Sequence, residues 1–365
     1  MLILVPNPAI RGPIPKISSL LTSALRSLGV EVDEEYWGRH GDSETRGNKV
    51  VGRIRDAFRV RRRLRRNKYD LMLVHTAHDA TAVARDLPLV LVGRSAVPRI
   101  VLLFHGSDSD ALIQSGHVLL KTATAALMRN VDAGLVLSVA ERDAWKNLFP
   151  RRRFYQVINP FSPTPAQIES GRPGSTELSG LPTLLFVGRI MEPKGVFDLV
   201  DALRIVVDRT PCRLIMAGSG PDLGRVTARI SRLGLDEFVT LTGYLAGSAL
   251  AEMYHCSDLF VLPTWWAEGF PTVIVEAMAA GLPIVTTRHR GSADLLKAGE
   301  NAVFVPPHDP RATAEAILQL LGDRERRVSM GEANRRKVRE FSPDIVGPRY
   351  VSILEDIVAS AGGLD

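Results

Sequence analysis

Two glutamates, Glu268 and Glu276, stand eight residues apart in the stretch TWWAEGFPTVIVEAMAAGLPI, residues 264–284. An apolar run of strand length, Leu259–Leu262, comes just before it and ends at Pro263. Gly269-Phe270-Pro271 reads as a turn. Val273, Ala277 and Ala280 then share one face of a helix, which Gly281 stops with Pro283 just beyond. This places Glu268 in the loop before the helix and Glu276 within its first turn or so. The N–H groups that open a helix have no partner inside it and favour anionic oxygens. A carboxylate beside them accepts hydrogen bonds from hydroxyl groups. One short segment thus offers both the phosphate and the sugar contacts that a nucleotide sugar requires. The bland alternative is a pair of solvated surface glutamates, and the surrounding residues must decide.

Two cations strengthen the first reading. Arg189 and Lys194 lie five apart, with Gly188 and Gly195 on either side, after the strand-like run Thr183–Val187. A planar guanidinium and an ammonium so placed can hold adjacent oxygens of a diphosphate. Further along, Gly218-Ser219-Gly220-Pro221 follows another strand end but does not spell GxGxxG. No GxxxxGK[ST] occurs either, so neither a dinucleotide fingerprint nor a P-loop is supported. In the first half, His105-Gly106-Ser107-Asp108 is expected as a loop directly after a strand at 100–104, and Gly12 lies in a Pro-rich loop after Leu2–Val5. Open α/β sheets bind ligands at the ends of such strands.

The elements that must position these residues are legible as apolar runs. In the first half they are Leu2–Val5, 71–74, 100–104 and 134–137; in the second, Thr183–Val187, Arg213–Ala217, 238–242, Leu259–Leu262, 283–287 and Ala302–Val305. Continuous apolar runs suit parallel strands covered on both faces, and helical stretches alternate with them. A chain of 365 residues exceeds what one core usually supports. A Pro- and Gly-crowded stretch, expected as a linker at 166–180, divides a domain at 1–165 from one at 181–342. Each is predicted to be a doubly wound parallel sheet. A last helix is expected at 343–360.

Composition removes other classes. Hydrophobic residues make up 45% and charged residues 24%, as in an ordinary globular protein, and no apolar run reaches the length of a membrane span. Two cysteines and no Cys/His cluster argue for a reducing cytoplasm and against zinc or haem. The net charge of +6 is local: residues 53–68 carry nine basic side chains and one acid, hence +8, which leaves −2 for the rest. Ile54, Ala57, Phe58 and Leu64 fall near one face of the helix expected there, as a small core-facing stripe. The cations over the remainder suit an anionic membrane surface. Nucleic acid is not expected, because Phe58 is the only aromatic in the run.

Gly188-Arg189, Lys194-Gly195, 217–221 (AGSGP), Gly243-Tyr244, Glu268-Gly269-Phe270-Pro271, Glu276-Ala277-Met278-Ala279 and Gly281-Leu282-Pro283 together resemble the retaining glycosyltransferases of family 4 (glycosyl transferases group 1), which have the GT-B fold. The first half is similar more loosely, through Gly12, residues 105–108, Ser138 and Asn159-Pro160. The resemblance implies two facing Rossmann-like domains with the active site in the cleft, and a final helix that crosses back to the first domain. It assigns Arg189 and Lys194 to the donor diphosphate and Glu276 to the nucleotide ribose. Glu268, with backbone N–H groups around Gly269, Phe270, Thr272 and Val273, would hold the donor sugar and the nearby phosphate. His105 would stand near the donor sugar, and the Gly12 loop near the diphosphate or acceptor. The chain departs from the family at three points: Arg11-Gly12-Pro13 replaces paired glycines, Pro271 replaces a glycine and removes one N–H, and Asp294 stands where Glu is common.

The resemblance further implies transfer from a UDP or GDP sugar to a glycan or lipid-linked hydroxyl, in cell-envelope or exopolysaccharide synthesis. Configuration would be retained without a metal or other cofactor, the nucleotide sugar being a co-substrate. The enzyme is expected in the cytoplasm, peripheral at the inner face of the cell membrane. A sugar-nucleotide epimerase or a non-catalytic nucleotide-sugar-binding protein remains the alternative, since fold alone does not decide function. A glycogen-type phosphorylase would be longer. A glycosidase would need two carboxylates facing each other across the bond.

Overall fold

The computed structural model describes residues 1–10, 12–38, 46–107, 112, 118–163 and 180–360. Arg11, Asp108 and nearly all of the expected linker fall outside that set. The fold divides into two compact units, residues 1–162 with 341 onward, and residues 163–340.

The first unit alternates β1 (Leu2–Val5), α1 (Pro13–Ser27), β2 (Asp33–Tyr36), α2 (Arg46–Arg66), β3 (Leu71–His78), α3 (Ala80–Arg94), β4 (Arg99–Ser107), α4 (Val118–Arg129), β5 (Ala133–Val136), α5 (Val139–Leu148) and β6 (Arg153–Gln156). Its parallel sheet has the order β2-β1-β3-β4-β5-β6. Strands β1 and β5 are buried end to end, and β3 and β4 over their apolar runs, as continuous apolar sequence requires. Beside them Trp145 stacks on Phe104, Phe149 and Phe154 at 5.1–5.8 Å between ring centroids.

The second unit runs β7 (Thr183–Val187), α6 (Val196–Val207), β8 (Arg213–Ala217), α7 (Leu223–Arg232), β9 (Val239–Gly243), α8 (Gly247–His255), β10 (Leu259–Leu262), α9 (Thr272–Ala280), β11 (Ile284–Thr287), α10 (Gly291–Leu295), β12 (Ala302–Val305), α11 (Pro310–Gly322) and α12 (Arg324–Val338). The sheet order is β12-β11-β10-β7-β8-β9, also fully parallel. Counted from β7, this is the doubly wound order 3-2-1-4-5-6, whose winding reverses between β7 and β10. The last helix, α13 (Pro343–Ala359), returns to the first unit and packs on α1, where Gly347 approaches Ala24 and Leu28. Arg99 Nε donates to the Ile357 carbonyl at 3.1 Å, and Tyr155 Oη to Asp356 at 2.5 Å.

Three expectations need correction. His105, Gly106 and Ser107 do not form a loop after β4; they are its last residues, because pairing with β3 continues to His78 opposite Ser107. The edge strands β2 and β6 were not among the expected runs. β2 reads Asp-Glu-Glu-Tyr, and its acids are matched by arginines: Arg63 lies 3.3 Å from Asp33 and 2.9 Å from Glu35, and Arg59 lies 2.5 Å from Glu35. The helix at residues 53–66 is also turned differently. Asp56, Val60 and Leu64 face inward, while Ile54 and Phe58 are 53% and 66% exposed. Burying Asp56 is tolerable because Arg59 pairs with it at 2.8 Å. A hydrophobicity pattern would never place that aspartate inward.

Candidate active site

The loop after β7 and the loop after β10 flank the point where the winding of the second sheet reverses, which is where open α/β sheets open a crevice for ligands. Arg189 and Lys194 come from the first loop, Glu268 from the second. Lys194 Nζ stands 2.5 Å from Glu268 Oε1. Lys194 is only 7% exposed, and the second oxygen of Glu268, Oε2, is buried with no partner. The pair therefore contains an unfilled acceptor and, on a three-donor ammonium, spare hydrogens. Arg189 is exposed on the same loop and makes no ion pair among the described residues.

The two loops are laced together by backbone. The Pro193 carbonyl accepts from Trp265 N and Trp266 N, both at 3.0 Å, and from Thr264 Oγ1 at 3.1 Å. Gly195 closes the turn that carries Lys194 with φ 72°, and a Cβ there would stand 2.1 Å from the Pro263 carbonyl oxygen. Only glycine fits that conformation at that approach. Behind Glu268, Gly291 N donates to the Glu268 carbonyl at 3.0 Å.

Gly269 and Phe270 are buried, and Pro271 caps α9 without any side-chain acceptor. The opening N–H groups of α9, at Thr272 and Val273, are thus available to a phosphate oxygen in the field of the helix dipole. Glu276 is the fifth residue of α9, so it lies in the second turn rather than the first. Tyr254 Oη donates to its Oε2 at 2.9 Å. Burial, and then the Glu276 charge, push the Tyr254 phenol well above its ordinary pKa, so it stays a donor. Sequence reasoning did not single out Tyr254. The only signal was an aromatic in α8 followed by a strand.

In the first unit the candidates gather around a histidine pair. His105 Nε2 lies 2.8 Å from His75 Nδ1, and the rings stack 5.0 Å apart. His75 Nδ1 also meets Ser18 Oγ at 2.9 Å. Ser18 sits two turns into α1, whose N-cap is Gly12 with φ 127°. The Gly12 end of α1 is therefore tied to β3 and β4 through Ser18 and His75. Burial pushes His105 down to about 4; burial and then the neighbouring His105 ring hold His75 well below the ordinary histidine range. Both imidazoles are neutral at pH 7, and His75 Nε2 and His105 Nδ1 are buried without partners. His75 could have been suspected as the polar break after an apolar run. Among the described residues no group of three His, Cys, Asp or Glu side chains is placed to hold a metal ion.

Residues 168–337, most of the second unit, match the family described as glycosyl transferases group 1. The D-inositol 3-phosphate glycosyltransferase of Corynebacterium glutamicum is 28% identical over 81% of this chain and 69% of its own length. The exopolysaccharide phosphotransferase of Streptomyces coelicolor is 32% identical over 52% of this chain, a stretch that spans only 20% of that relative. Among solved structures, sucrose-phosphate synthase from Thermosynechococcus elongatus superposes with a TM-score of 0.77 at 18% identity, covering 99% of each chain. Anabaena HepE, solved with UDP and glucose, superposes with a TM-score of 0.72 at 18% identity over 98% of this chain and 100% of that one. These likenesses show the fold: α/β, two Rossmann-like parallel sheets, GT-B.

Proposed function

We propose that this chain, whose residues 168–337 match the family described as glycosyl transferases group 1, is a glycosyltransferase that moves a sugar from a UDP or GDP sugar to a hydroxyl of a glycan or lipid-linked acceptor, with retention of configuration as in family 4. The observation that carries this reading is the Lys194–Glu268 pair beside the uncapped start of α9. The departing nucleoside diphosphate gathers negative charge as the glycosidic bond lengthens. Lys194, Arg189 and the N–H groups of Thr272 and Val273 present positive potential already in place, which stabilises that charge without reorganisation. Lys194 serves both partners, with one hydrogen on Glu268 and others for a phosphate oxygen. Glu268 accepts from a hydroxyl of the donor sugar through its vacant Oε2, and Glu276 accepts from the ribose. His105, neutral, offers a ring nitrogen near the donor sugar, and the Gly12 loop lies near the diphosphate or acceptor.

The reaction needs neither a metal nor another cofactor, because the diphosphate charge is met by these cations and the helix terminus. The UDP of one structural neighbour and the exopolysaccharide in the name of a relative support a donor and a setting of this kind. We place the enzyme in the cytoplasm, as a peripheral protein at the inner face of the membrane; among the described residues no helix is long and apolar enough to cross one. The test is transfer of radiolabel from UDP- and GDP-sugars to a hydroxyl acceptor in excess EDTA. Product with the donor's anomeric configuration is expected. Loss on chelation, restored by magnesium, would contradict the metal-free reading, and label bound but never transferred would make the chain a binding protein.

A further inference from the structure

A groove of about 660 Å³ lies between α2 and α3 and takes no part in the site described above. Its wall is formed by Ile54, Ala57 and Phe58 on one side and Pro88 and Val92 on the other, with Trp37 among the lining residues. Of the charged groups along it, Asp79 and Arg85 are engaged within the protein, while Arg61 makes no ion pair among the described residues. Asp79 caps α3 by accepting from Thr81 N and Ala82 N at 2.8 and 2.9 Å, and Arg85 pairs with the buried Asp86 at 2.5 Å. Arg61 apart, what remains for an occupant is apolar, without the set of convergent donors and acceptors that reads a polar ligand. Phe58 and Ile54 stand at the lip, mostly out of contact with the protein.

The arginines of α2 divide sharply around this groove. Arg59 and Arg63 turn to Asp33, Glu35 and Asp56. Arg55, Arg61, Arg62, Arg65 and Arg66 are exposed and make no ion pair among the described residues. The same helix thus presents exposed apolar side chains and a row of uncompensated cations. That combination suits the boundary between lipid headgroups and acyl chains, and anionic headgroups in particular. A protein partner of opposite charge would satisfy the arginines but would gain little from a groove without polar recognition. The groove also begins at the carboxyl end of β3, at Ala77 and Asp79, two and four residues beyond His75.

We propose that this groove is a membrane-docking site that takes one hydrocarbon chain of an anionic bilayer lipid, with the five outward arginines on its headgroup layer. It deepens, and rests on, the peripheral-membrane part of the reading above. It gives a lipid-linked acceptor a fixed approach to the end of the sheet where His105 stands.

The test uses the full chain with vesicles of phosphatidylcholine alone, or mixed with phosphatidylglycerol, the latter also with brominated acyl chains. The wild type is expected to sediment with the mixed vesicles only, less as salt rises. Brominated chains are expected to quench its fluorescence more than that of Trp37→Phe. Ile54→Ser with Phe58→Ser, both at exposed positions, is expected to weaken vesicle binding at least tenfold and to remove the extra quenching. Serine at all five outward arginines is expected to abolish binding, with circular dichroism showing each variant folded. No binding of the wild type to mixed vesicles at low salt overturns the proposal. Binding with equal quenching in wild type and Trp37→Phe, untouched by the Ile54/Phe58 change, overturns the groove. Self-association that depends on Phe58, in place of vesicle binding, assigns the face to a second copy and also overturns it. Vesicle binding needs no donor sugar, so a negative result here leaves transfer to a soluble acceptor standing. A failure of transfer leaves the vesicle result standing likewise.

Discussion

The two sheets end in opposite kinds of chemistry. At the carboxyl end of the second, charges are concentrated: an exposed Arg189, a buried Lys194 on Glu268, and the positive end of α9. At the carboxyl end of the first, charge is withheld: His75 and His105 stack, share a hydrogen bond and are kept neutral by burial. A diphosphate needs the first environment. A sugar carbon undergoing substitution gains from polar groups that add no competing charge. The contrast shows how one architecture, repeated, acquires opposite electrostatic character by changing a few residues at strand ends.

The sharpest way to break the contrast is to remove its strongest charge. Lys194→Ala is expected to lower kcat/KM by about 10²–10³, the usual loss when one preorganised stabilising group is deleted from a site. Arg189→Ala should cost less, about tenfold, because an exposed cation acts through more solvent. Steady-state kinetics on folded variants checks both, and equal turnover in Lys194→Ala and wild type would contradict the assignment.

The carboxylates sharpen the comparison within the second unit. If Glu268 holds the donor sugar as proposed, Glu268→Gln is expected to abolish most turnover while leaving the Kd for UDP or GDP within about threefold. Glu276→Gln should weaken the free nucleotide about ten- to a hundredfold, in line with about 1.5–3 kcal/mol for a hydrogen bond to a charged group. Tyr254→Phe, which removes the phenol that orients Glu276, should do the same more mildly. Calorimetry separates these cases, and the reverse pattern would exchange the two roles.

The histidine pair provides a test in pH. A histidine with a depressed folded pKa is neutral in the native state and takes up a proton on unfolding. The resulting loss of stability is absent above the unfolded value of about 6.5 and grows as pH falls toward about 4, where folded His105 also titrates. At about 1.4 kcal/mol per unit, His105 accounts for up to about 3 kcal/mol of that loss. Thermal melts from pH 7.5 to 4.5 should show a shallower decline for His75→Gln/His105→Gln than for wild type. Parallel curves would mean that the pair is not held neutral.

Much of this molecule is legible in its residue order, for reasons that can be stated. Strands such as Leu2–Val5 and Leu259–Leu262 are buried on both faces, so their sequence is apolar without interruption. The β2 strand escaped notice because it lies at an edge and its acids pair with arginines some 25–30 residues away, where local pattern carries no trace. The outward turn of Ile54 and Phe58 was hidden by the same device, a buried Asp56 neutralised by Arg59. In the candidate site, Lys194 and Glu268 could be named separately from loop chemistry. Their direct contact, the Tyr254 bond to Glu276 and the Ser18–His75–His105 chain join residues far apart in sequence and needed the fold.

The most direct test of the central claim, that the second unit's switch point is built for a nucleoside diphosphate, is a thermal-shift panel of UDP, GDP, ADP and CDP on wild type and Lys194→Ala. A ligand that binds only the folded state raises the melting temperature with concentration. One uracil or guanine diphosphate should raise it clearly in the wild type, and the same concentration should do so much less in Lys194→Ala. No shift with any diphosphate, or an equal shift in both proteins, would contradict it.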